Sequence, residues 1–468
     1  MTNAFALKRL VAAAAAAGAL LLGSGAASLA AQPTADDLNR SMLDYSFLRA
    51  GAEFYKQVDD QVLLDGAVAG MRAVIKSKGG DPSKVPTLHN AGSKSADLSL
   101  LNQELVTVDR DFGKDVSERE IAYSAIAGIM RALNDRWTVF MTPDEYKSLN
   151  QNLEGGGFPG VGIVIDTDPQ TKSLLVTQVV EGGPAQKAGL QAGDIIVTID
   201  GKTTAGLAVP DESKLLRGPA GTTVVIVVQR KGEAAPITLS IVRAFIHEPS
   251  VLTRTLDGNI AYLRVLVFGV TTGEELSKAL DEFQRAGVKG YVLDLRYNGG
   301  GYLNAAVDVA SKFVSEGPIV SIDGRQKPFT TINAEDTAVE SHPLVVLVNG
   351  YTASASEIAA GAVQDNGAGV LIGTKTYGKG EVQTIYPLPD GSAIKITTAR
   401  YLTPLGKDIN TIGIKPDIEV QPDVPAQNIG NLPVDPQLQR AMAYINDQIA
   451  AGLAPASSGA TSGKPAGQ

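Results

Sequence analysis

The sequence contains no cysteine and only three histidines among its 468 residues. The absence of cysteine excludes disulfide bonds, a thiol nucleophile and a lipid anchor attached to cysteine. The phosphate-binding pattern GxxxxGK[ST] is also missing. The formal net charge of −9 argues against a nucleic-acid partner, because proteins that bind nucleic acids present a basic face. We expect no cofactor, no metal ion and no nucleic-acid ligand.

Long apolar runs are confined to the N-terminus. Lys8 and Arg9 precede the run LVAAAAAAGALLLG, and Ser28 and Ala30 are the small residues expected before a signal-peptide cleavage point. We expect residues 1–30 to be a signal peptide cleaved after Ala30, so that the protein is exported to the periplasm or cell envelope. The alternative is an uncleaved membrane anchor. Cleavage is favoured because alanine and glycine are weak membrane-spanning residues.

The mature chain divides by composition into several units, which predicts a multidomain α+β architecture. Residues 35–150 have the three- and four-residue apolar spacing of helices and form a helical N-terminal region. This region contains two similar stretches, GAVAGMRAVI at 66–75 and SAIAGIMRAL at 124–133. Between them, residues 76–97 are rich in Gly, Ser, Pro and Lys, and we expect a mobile loop there.

Residues 151–245 change to a β pattern with many glycines. The glycine-rich loop EGGGFPGVGIVID leads into a strand, and the stretch EGGPAQKAGLQAGDIIVTIDG predicts a turn, a short helix, a turn and a strand. Loop amides beside an exposed strand edge can capture a peptide carboxylate, and the peptide then adds as a further strand. In this order the stretches resemble a PDZ domain of the bacterial type. The resemblance implies that Gly160, Val161, Gly162 and Ile163 bind peptides, whereas GVGI alone predicts only a tight loop.

Residues 246–425 alternate glycine-bounded strands with helix-like segments, which predicts an α/β core. Within this core, the run PLVVLV at 343–348 predicts a buried strand, and the stretch EIAAGAVQD predicts the helix that follows. The turn between them carries Ser354 and Ser356. Nucleophiles are often presented on such strand-to-helix turns, although serines also cap helices. Beyond the core, residues 426–468 are expected to form one helix and a disordered tail.

A serine nucleophile needs a base, and the sequence offers histidine and lysine. His89 lies in the predicted loop, and His247 and His342 lie close to prolines at the start of a domain or strand, where a surface role is more common. The Ser-x-x-Lys stretch SAIK at 392–395 lies in a strand-like segment that would not bring its serine and lysine together. Lys379, between two glycines in YGKGEVQ, is the better candidate, with a histidine base as the alternative.

Four longer motifs point to one family. They are DLRYNGGG, SASEIAAGAVQD, YGKGEVQ and TTARYLTPLGKDINTIGIKPDIEV, in this order. From about residue 115 to 425 the chain resembles the bacterial carboxyl-terminal processing proteases, also called tail-specific proteases. The resemblance implies an α/β crotonase-like serine protease core with Ser354 as nucleophile, Lys379 as general base and Gln383 as the residue that holds the lysine. It leaves Ser356 a structural role as a helix cap.

The lysine must be neutral to act as a base, and at pH 7 only about one free lysine in 2,500 is neutral. Burial can lower the pKa of a lysine by several units, and the glycines on both sides of Lys379 let the chain turn inward. In a straight strand Gln383 would lie about 13 Å from Lys379, so the implied contact predicts a bend or a helical turn near Gly380. Glu357, on the serine helix, is expected to be structural or to lie near the lysine.

The oxyanion formed during acyl transfer needs backbone donors. The amide of Ala355 follows the nucleophile directly. The stretch RYNGGG matches the family pattern Arg-x-Asn-x-Gly-Gly through Arg296, Asn298, Gly300 and Gly301. The resemblance implies that a glycine of this loop supplies the second donor. Gly300 is favoured, with Gly301 as the alternative.

Together these features predict an exported serine endopeptidase that cuts proteins near their C-termini. The expected partners are polypeptides with apolar free C-termini, and an adaptor protein and a homo-oligomer are further candidates. Two alternatives belong to other classes. A catalytically inactive PDZ scaffold would lack Ser354 or Lys379, and both are present. A crotonase-like acyl-transfer enzyme acting on acyl-CoA would have no use for a nucleophilic serine, a PDZ domain or an export signal.

Overall fold

The computed structural model describes residues 34–452, apart from short segments at 155–156, 168–173, 181, 205–213, 247–248 and 327–328. The expected signal peptide at residues 1–30 lies outside the described residues, as do His247 and the expected disordered tail beyond residue 452. In the described part of the chain, no helix combines the length and apolar character needed to cross a membrane.

Four helices form the N-terminal region. They are α1 (Ala35–Glu53), α2 (Asp60–Ser77), α3 (Lys94–Phe112) and α4 (Glu118–Ala132). Each starts where a side chain accepts a hydrogen bond from the first helical turn, and these capping residues are Thr34, Asp59, Ser93 and Ser117. The short strand β1 (Val139–Met141) and helix α5 (Pro143–Leu153) follow.

The two similar stretches of the sequence are parts of α2 and α4, and these helices pack directly against each other. A Cβ atom added to Gly70 would lie 1.9 Å from the carbonyl oxygen of Ser124, and one added to Gly128 would lie 2.1 Å from that of Gly66. Small residues four apart lie on one face of a helix. The repeated spacing therefore marks the faces on which the two helices make backbone contact.

The prediction of a mobile loop at residues 76–97 is wrong at both ends. Residues 76 and 77 are the last residues of α2. Ser93 is the capping residue of α3, and the helix begins at Lys94. Part of the remaining segment is tied to α2, because the guanidinium of Arg72 donates two hydrogen bonds to the carbonyl oxygen of Val85, at 2.7 and 2.9 Å. Composition predicted a loop here because serine and lysine are equally common in loops and in the first turn of a helix.

The second region is a small sheet with its own hydrophobic core. Its elements are β2 (Phe158–Gly160), β3 (Ile163–Thr167), β4 (Leu174–Val179), α6 (Pro184–Lys187), β5 (Ile195–Ile199), β6 (Lys202–Thr203), β7 (Thr223–Gln229), β8 (Ile237–Val242) and β9 (Ala244–Ile246). The strand order is β3-β4-β5-β7-β8, with β6 beside β5. Strands β2 and β9 pair where the chain enters and leaves the region. Strand β3 lies at the edge of the sheet.

The third region is an α/β unit. Its elements are β10 (Val251–Leu256), β11 (Ile260–Val265), α7 (Thr272–Arg285), β12 (Gly290–Asp294), α8 (Leu303–Ser311), β13 (Pro318–Gly324), β14 (Thr330–Asn333), β15 (Leu344–Val348), α9 (Ala355–Asp365), β16 (Val370–Gly373), β17 (Glu381–Pro387), β18 (Ala393–Leu402), β19 (Ile418–Glu419) and α10 (Pro436–Ala450). The main sheet has the order β10-β11-β12-β15-β16-β19. All of its strands from β11 onwards run parallel.

The parallel arrangement positions two loops side by side. Strands β12 and β15 are neighbours, so the segments that follow their carboxyl ends meet at one edge of the sheet. The segment after β12 contains Asn298, Gly300 and Gly301, and the segment after β15 contains Ser354. In parallel α/β sheets this edge is where ligand sites form.

A second sheet joins the helical region to the α/β unit. It has the order β1-β18-β13-β14, with β17 also paired to β18. Strand β1 belongs to the N-terminal part of the chain, and Phe140 in it is aligned with Ile394 of β18. The helices bury their apolar residues in the same cluster as Leu388, Ile394 and Ile396. The helical region therefore shares one apolar cluster with β18 and the turn before it, while the rest of the α/β unit has its own core clusters.

The C-terminal helix α10 is fixed by a buried ion-pair network. The guanidinium of Arg296 donates to both carboxylate oxygens of Asp294, at 2.6 and 2.9 Å, and to both of Asp435, at 2.8 Å each. Asp435 also accepts from the backbone of Leu438 in the first turn of α10. Arg296 therefore links the end of β12 to α10.

Candidate active site

Ser354 lies on the turn between β15 and α9, as the sequence indicated. Its backbone has φ of +58° and ψ of −119°, a conformation that non-glycine residues adopt rarely. Such strain persists only where the surroundings enforce it, and it is concentrated at functional sites. The turn presents the side chain of Ser354 to a cavity of about 860 Å³.

Asn298 holds this turn against the glycine loop. Its carbonyl oxygen accepts hydrogen bonds from the amide of Ala353 (3.0 Å) and from the hydroxyl of Ser356 (2.9 Å). Its own side-chain amide donates to the carbonyl oxygen of Val265 (2.8 Å). The expectation that Ser356 caps the helix is therefore wrong. Ser356 is the second residue of α9, and its buried hydroxyl bonds outward to the neighbouring loop.

Lys379 lines the same cavity as Ser354. Its Nζ lies 4.2 Å from the centre of the Trp137 ring, which is a cation–π contact. Trp137 is the only tryptophan of the chain and comes from the helical region, just before β1. The helical region thus contributes a residue to the surroundings of the lysine.

The pKa of Lys379 is lowered to about 8. The main cause is burial, which disfavours the charged amine. Lys395 and Arg136 lower the pKa further by charge repulsion, whereas Glu381 and Glu357 raise it. At pH 7 such a lysine is neutral in roughly one molecule in ten, about two hundred times the fraction of a free lysine.

Glu357 ties the serine and the lysine together. It is fully buried, and its carboxylate accepts from the amides of Ser354 (2.9 Å), Gly378 (2.8 Å) and Lys379 (2.8 Å) and from the hydroxyl of Thr376 (2.6 Å). All four groups use the carboxylate as an acceptor, which fits its ionised form, although burial raises the pKa of Glu357.

Tyr401 is a second side chain, besides Glu357, that links Ser354 to Lys379. The amides of Ser354 and Lys379 bond the same Glu357 oxygen, so their nitrogens are less than about 6 Å apart. The buried hydroxyl of Tyr401 contacts the carbonyl oxygens of the same two residues, that of Ser354 at 3.1 Å. Backbone position at the serine is therefore coupled to backbone position at the lysine.

The predicted oxyanion donors lie beside the serine. A Cβ atom on Gly300, whose φ is +103°, would lie 2.9 Å from both Ser354 Cβ and the amide nitrogen of Ala355, so only glycine fits there. The amide of Gly300 already donates to the side chain of Asn298 (2.8 Å). The amides of Gly301 and Ala355 make no hydrogen bond to the described residues.

Gln383 lines the cavity but does not contact Lys379 through a hydrogen bond among the described residues. Its side-chain amide donates weakly to the carbonyl oxygen of Glu381 (3.2 Å) and to the hydroxyl of Thr397 (3.4 Å). Strand β17 has a register irregularity between Val382 and Gln383, two residues beyond the position where the bend was predicted.

The residues predicted to bind a peptide lie in the second region. Gly160 ends β2, Ile163 begins β3, and Gly162 between them has φ of +80°, which favours glycine. The carbonyl oxygens of Val161 and Gly162 accept from the short helix and from the end of β4, which fixes the loop. The structure therefore places the loop next to the edge strand β3.

No histidine lines the cavity among the described residues. His89 is exposed, and the ring of His342 lies 5.8 Å from the ring of Tyr291, away from Ser354. In the described part of the chain, no group of three or more acidic or histidine side chains is arranged to hold a metal ion.

Comparison with known proteins identifies the family. A model for peptidase family S41 matches residues 259–420, and a PDZ-domain model matches residues 175–230. The carboxyl-terminal-processing protease of Picosynechococcus sp. is 38% identical over 315 residues, which cover 67% of this chain and 76% of that protein. The chain belongs to the carboxyl-terminal-processing proteases. CtpA of Bacillus subtilis, another relative, is 33% identical over 333 residues, or 71% of each chain.

A solved structure titled photosystem II D1 C-terminal processing protease is also similar. It is 32% identical, covers 83% of this chain and 98% of its own, and aligns with a TM-score of 0.43. The predicted family and fold class are confirmed. This carboxyl-terminal-processing protease has a helical N-terminal region, a PDZ domain and an α/β core of family S41, and it is a serine-type peptidase.

Three residues around the site were missed or underrated by sequence reasoning. Trp137 was not singled out, Lys395 was considered only as the lysine of the rejected Ser-x-x-Lys stretch SAIK, and Glu357 was expected to be structural or to lie near the lysine. A signal existed for Trp137, because a single tryptophan next to β1 is conspicuous in a chain with 5% aromatic residues. No local pattern marks Lys395, because it alternates along a strand like its neighbours.

Proposed function

We propose that this carboxyl-terminal-processing protease is an exported serine endopeptidase that uses Ser354 as nucleophile and Lys379 as general base. One observation carries the proposal: the two side chains line one cavity, and the pKa of the lysine is lowered to about 8 there. A lysine in this state provides the base that a serine hydroxyl requires. A histidine base has no support, because no described histidine reaches the cavity.

The proposed reaction begins with neutral Lys379. Its amine takes the proton of Ser354 Oγ as the oxygen attacks the scissile carbonyl carbon, and the carbonyl becomes an oxyanion. The ammonium of Lys379 then gives this proton to the departing amine, which leaves an acyl-enzyme. Water attacks the acyl-enzyme, with the same amine as base, and restores the serine.

The oxyanion is expected to accept hydrogen bonds from the amides of Ala355 and Gly301. Both amides are free of partners among the described residues, whereas the amide of Gly300 is engaged by Asn298. Because the amide of Gly300 is occupied, Gly301 replaces Gly300 as the preferred oxyanion donor of this loop. The role of Gly300 is then to let the loop approach Ser354 closely, because a residue with a Cβ atom would not fit there.

Gln383 is proposed to hold the lysine after a change of rotamer. Its present hydrogen bonds, to Thr397 and to a backbone carbonyl, are both longer than 3 Å and therefore weak. Lys379 meanwhile rests on Trp137. The proposed active arrangement moves the amine from the ring towards Ser354, with Gln383 as its new partner.

The pH dependence of cleavage tests the base. Activity requires the neutral amine, so kcat/KM for peptide cleavage is expected to rise about tenfold per pH unit up to about pH 8 and to level off above it. The measurement is a pH profile from 6 to 9.5 with a peptide whose own groups do not titrate there. An acidic limb centred near pH 6.5 would indicate histidine, and no cleavage at any pH would favour the inactive scaffold.

The PDZ domain is proposed to bind apolar free C-termini through the Gly160–Ile163 loop and the edge of β3. The loop amides would bind the carboxylate, and the substrate would extend the sheet from β3, its edge strand. We further propose export through the N-terminal signal, with an adaptor protein and a homo-oligomer as partners.

Substrates with an amidated C-terminus test this recognition. Amidation removes the charge that the loop would bind, so we expect kcat/KM to fall about tenfold or more, mainly through KM. A short peptide that reaches only the protease core serves as the control, because its cleavage should not depend on amidation. Equal rates for the amidated and free long substrates would remove the tail-specific role and leave the protease mechanism intact.

A further inference from the structure

Lys395 is a second lysine in the active-site cavity. It lies on β18, opposite Ile385 of β17 and Val139 of β1, and is only partly exposed. It lines the same cavity as Ser354 and Lys379. The reaction proposed above gives it no role.

The charge of Lys395 is not neutralised by a direct partner. Among the described residues, no carboxylate lies within ion-pair distance of its Nζ, whereas exposed Lys407 pairs with Asp365 at 2.8 Å. Burial lowers the pKa of Lys395, and Asp135 opposes this shift without forming an ion pair with the amine. A half-buried cation without a partner costs free energy, so its presence in a cavity calls for a function.

The carboxylate of Asp135 is committed to other donors. It accepts from the amide of Trp137 (3.1 Å), from the hydroxyl of Thr138 (2.7 Å) and from the hydroxyl of Thr397. These bonds fix the turn that carries Trp137 onto β18. Asp135 therefore stabilises a proton on Lys395 without forming a close pair that would cancel its charge.

Four charged groups act on Lys379 from the elements around it. Lys395 of β18 and Arg136 of the turn before β1 repel the ammonium, while Glu381 of β17 and Glu357 of α9 attract it. Lys395 has the largest effect of these four on the pKa of Lys379, and only burial has a larger one.

We propose that Lys395 is a positioning residue whose positive charge keeps Lys379 in the neutral form that activates Ser354. Two ammonium groups in one cavity repel each other, so the pair retains one proton more readily than two. Burial lowers the pKa of both lysines, and this shift is opposed by Asp135 at Lys395 and by Glu381 and Glu357 at Lys379. The proposed mechanism requires the retained proton to lie on Lys395, because Lys379 acts as the neutral amine. The inference rests on the proposed Ser354–Lys379 mechanism and adds a second lysine that controls the protonation of the base.

The test is the pH profile of kcat/KM for Lys395→Met and Lys395→Arg. Methionine keeps the length of the side chain and removes the charge, so the acidic limb should move up by about one pH unit. Activity should then fall about tenfold at pH 7 but less than about threefold at pH 9.5. Arginine keeps the charge and should restore the limb to its wild-type position. Lys415→Met removes an exposed lysine outside the cavity and should leave the profile unchanged.

A direct titration supports the kinetics. In a Ser354→Ala background, the side chain of Lys379 can be titrated by NMR with ¹³C-labelled lysine, with and without Lys395→Met, and its midpoint should rise by the same amount. If Lys395→Met does not fold, Lys395→Gln provides the second uncharged variant. An unshifted midpoint with a raised KM would overturn the proposal and make Lys395 a group that binds a substrate carboxylate. Failure of the mechanism itself would be recognised separately, as activity that survives Lys379→Ala.

Discussion

Replacing Lys379 with alanine is expected to lower kcat/KM for peptide cleavage by about 10⁴-fold or more, as much as Ser354→Ala. The serine hydroxyl is a poor nucleophile without its base, and residues that act as one unit show nearly the full loss when either is removed. The double variant should therefore be no worse than the single ones. Steady-state cleavage of an unfolded protein and of a peptide measures the loss.

Two further substitutions of Lys379 distinguish the effect of its charge from its role as a base. Lys379→Arg should fail as badly as alanine, because a guanidinium stays protonated at every accessible pH. Lys379→Met, which matches the apolar length of lysine, should fail while preserving the cavity. All three variants should keep their circular dichroism spectra and bind a C-terminal peptide. Substitution of His247 or His342 should leave activity intact, and loss of activity in either would reinstate a histidine base.

Glu357→Gln is expected to lower kcat/KM by about 10²-fold or more without unfolding the protein. The carboxylate accepts four hydrogen bonds, and one amide oxygen can replace only one of its two oxygens. The new NH₂ group must then face two donors, either those of Ser354 and Lys379 or those of Thr376 and Gly378. Each unsatisfied buried donor costs about 1–3 kcal/mol, so the backbone is expected to shift where the serine and lysine meet.

The control for this prediction is Glu282→Gln, a change of the same kind on the exposed side of α7. It should alter neither kcat nor KM. For Glu357→Gln the loss should fall mainly on kcat, because the PDZ domain, which is proposed to bind the substrate, is untouched. Thermal unfolding should show a modest decrease in stability. Activity within twofold of wild type would show that the coupling between the two backbones is dispensable.

The sequence could predict the elements on which the serine and lysine lie because both have strong local signals. The run PLVVLV followed by an alanine-rich segment specifies a buried strand and a helix, and Ser354 lies between them. The glycines beside Lys379 mark a backbone that leaves regular strand geometry, and Gly378 has φ of +87°. The domain limits near residues 150, 245 and 425 stay predictions.

The contacts around the lysine could not be predicted in the same way. Trp137 and Lys379 are more than two hundred residues apart, and long-range contacts such as the pairing of β1 with β18 bring their neighbourhoods together. Gln383 is a case in which the sequence implied a contact that the structure does not contain. Sequence similarity implied its contact with the lysine, but the rotamer it adopts depends on Thr397 across the strand pair.

The pairing of β1 with β18 also determines which parts of the chain are interchangeable. The PDZ domain has its own core, and strands β2 and β9, where the chain enters and leaves it, lie side by side. It is therefore an inserted domain. The helical region is not a separable domain. Its apolar residues, its strand β1 and Trp137 contact the α/β unit, although the PDZ domain lies between the two regions in the sequence. Recombination between relatives could thus exchange the PDZ domain alone, whereas the helical region and the α/β unit would have to be exchanged together.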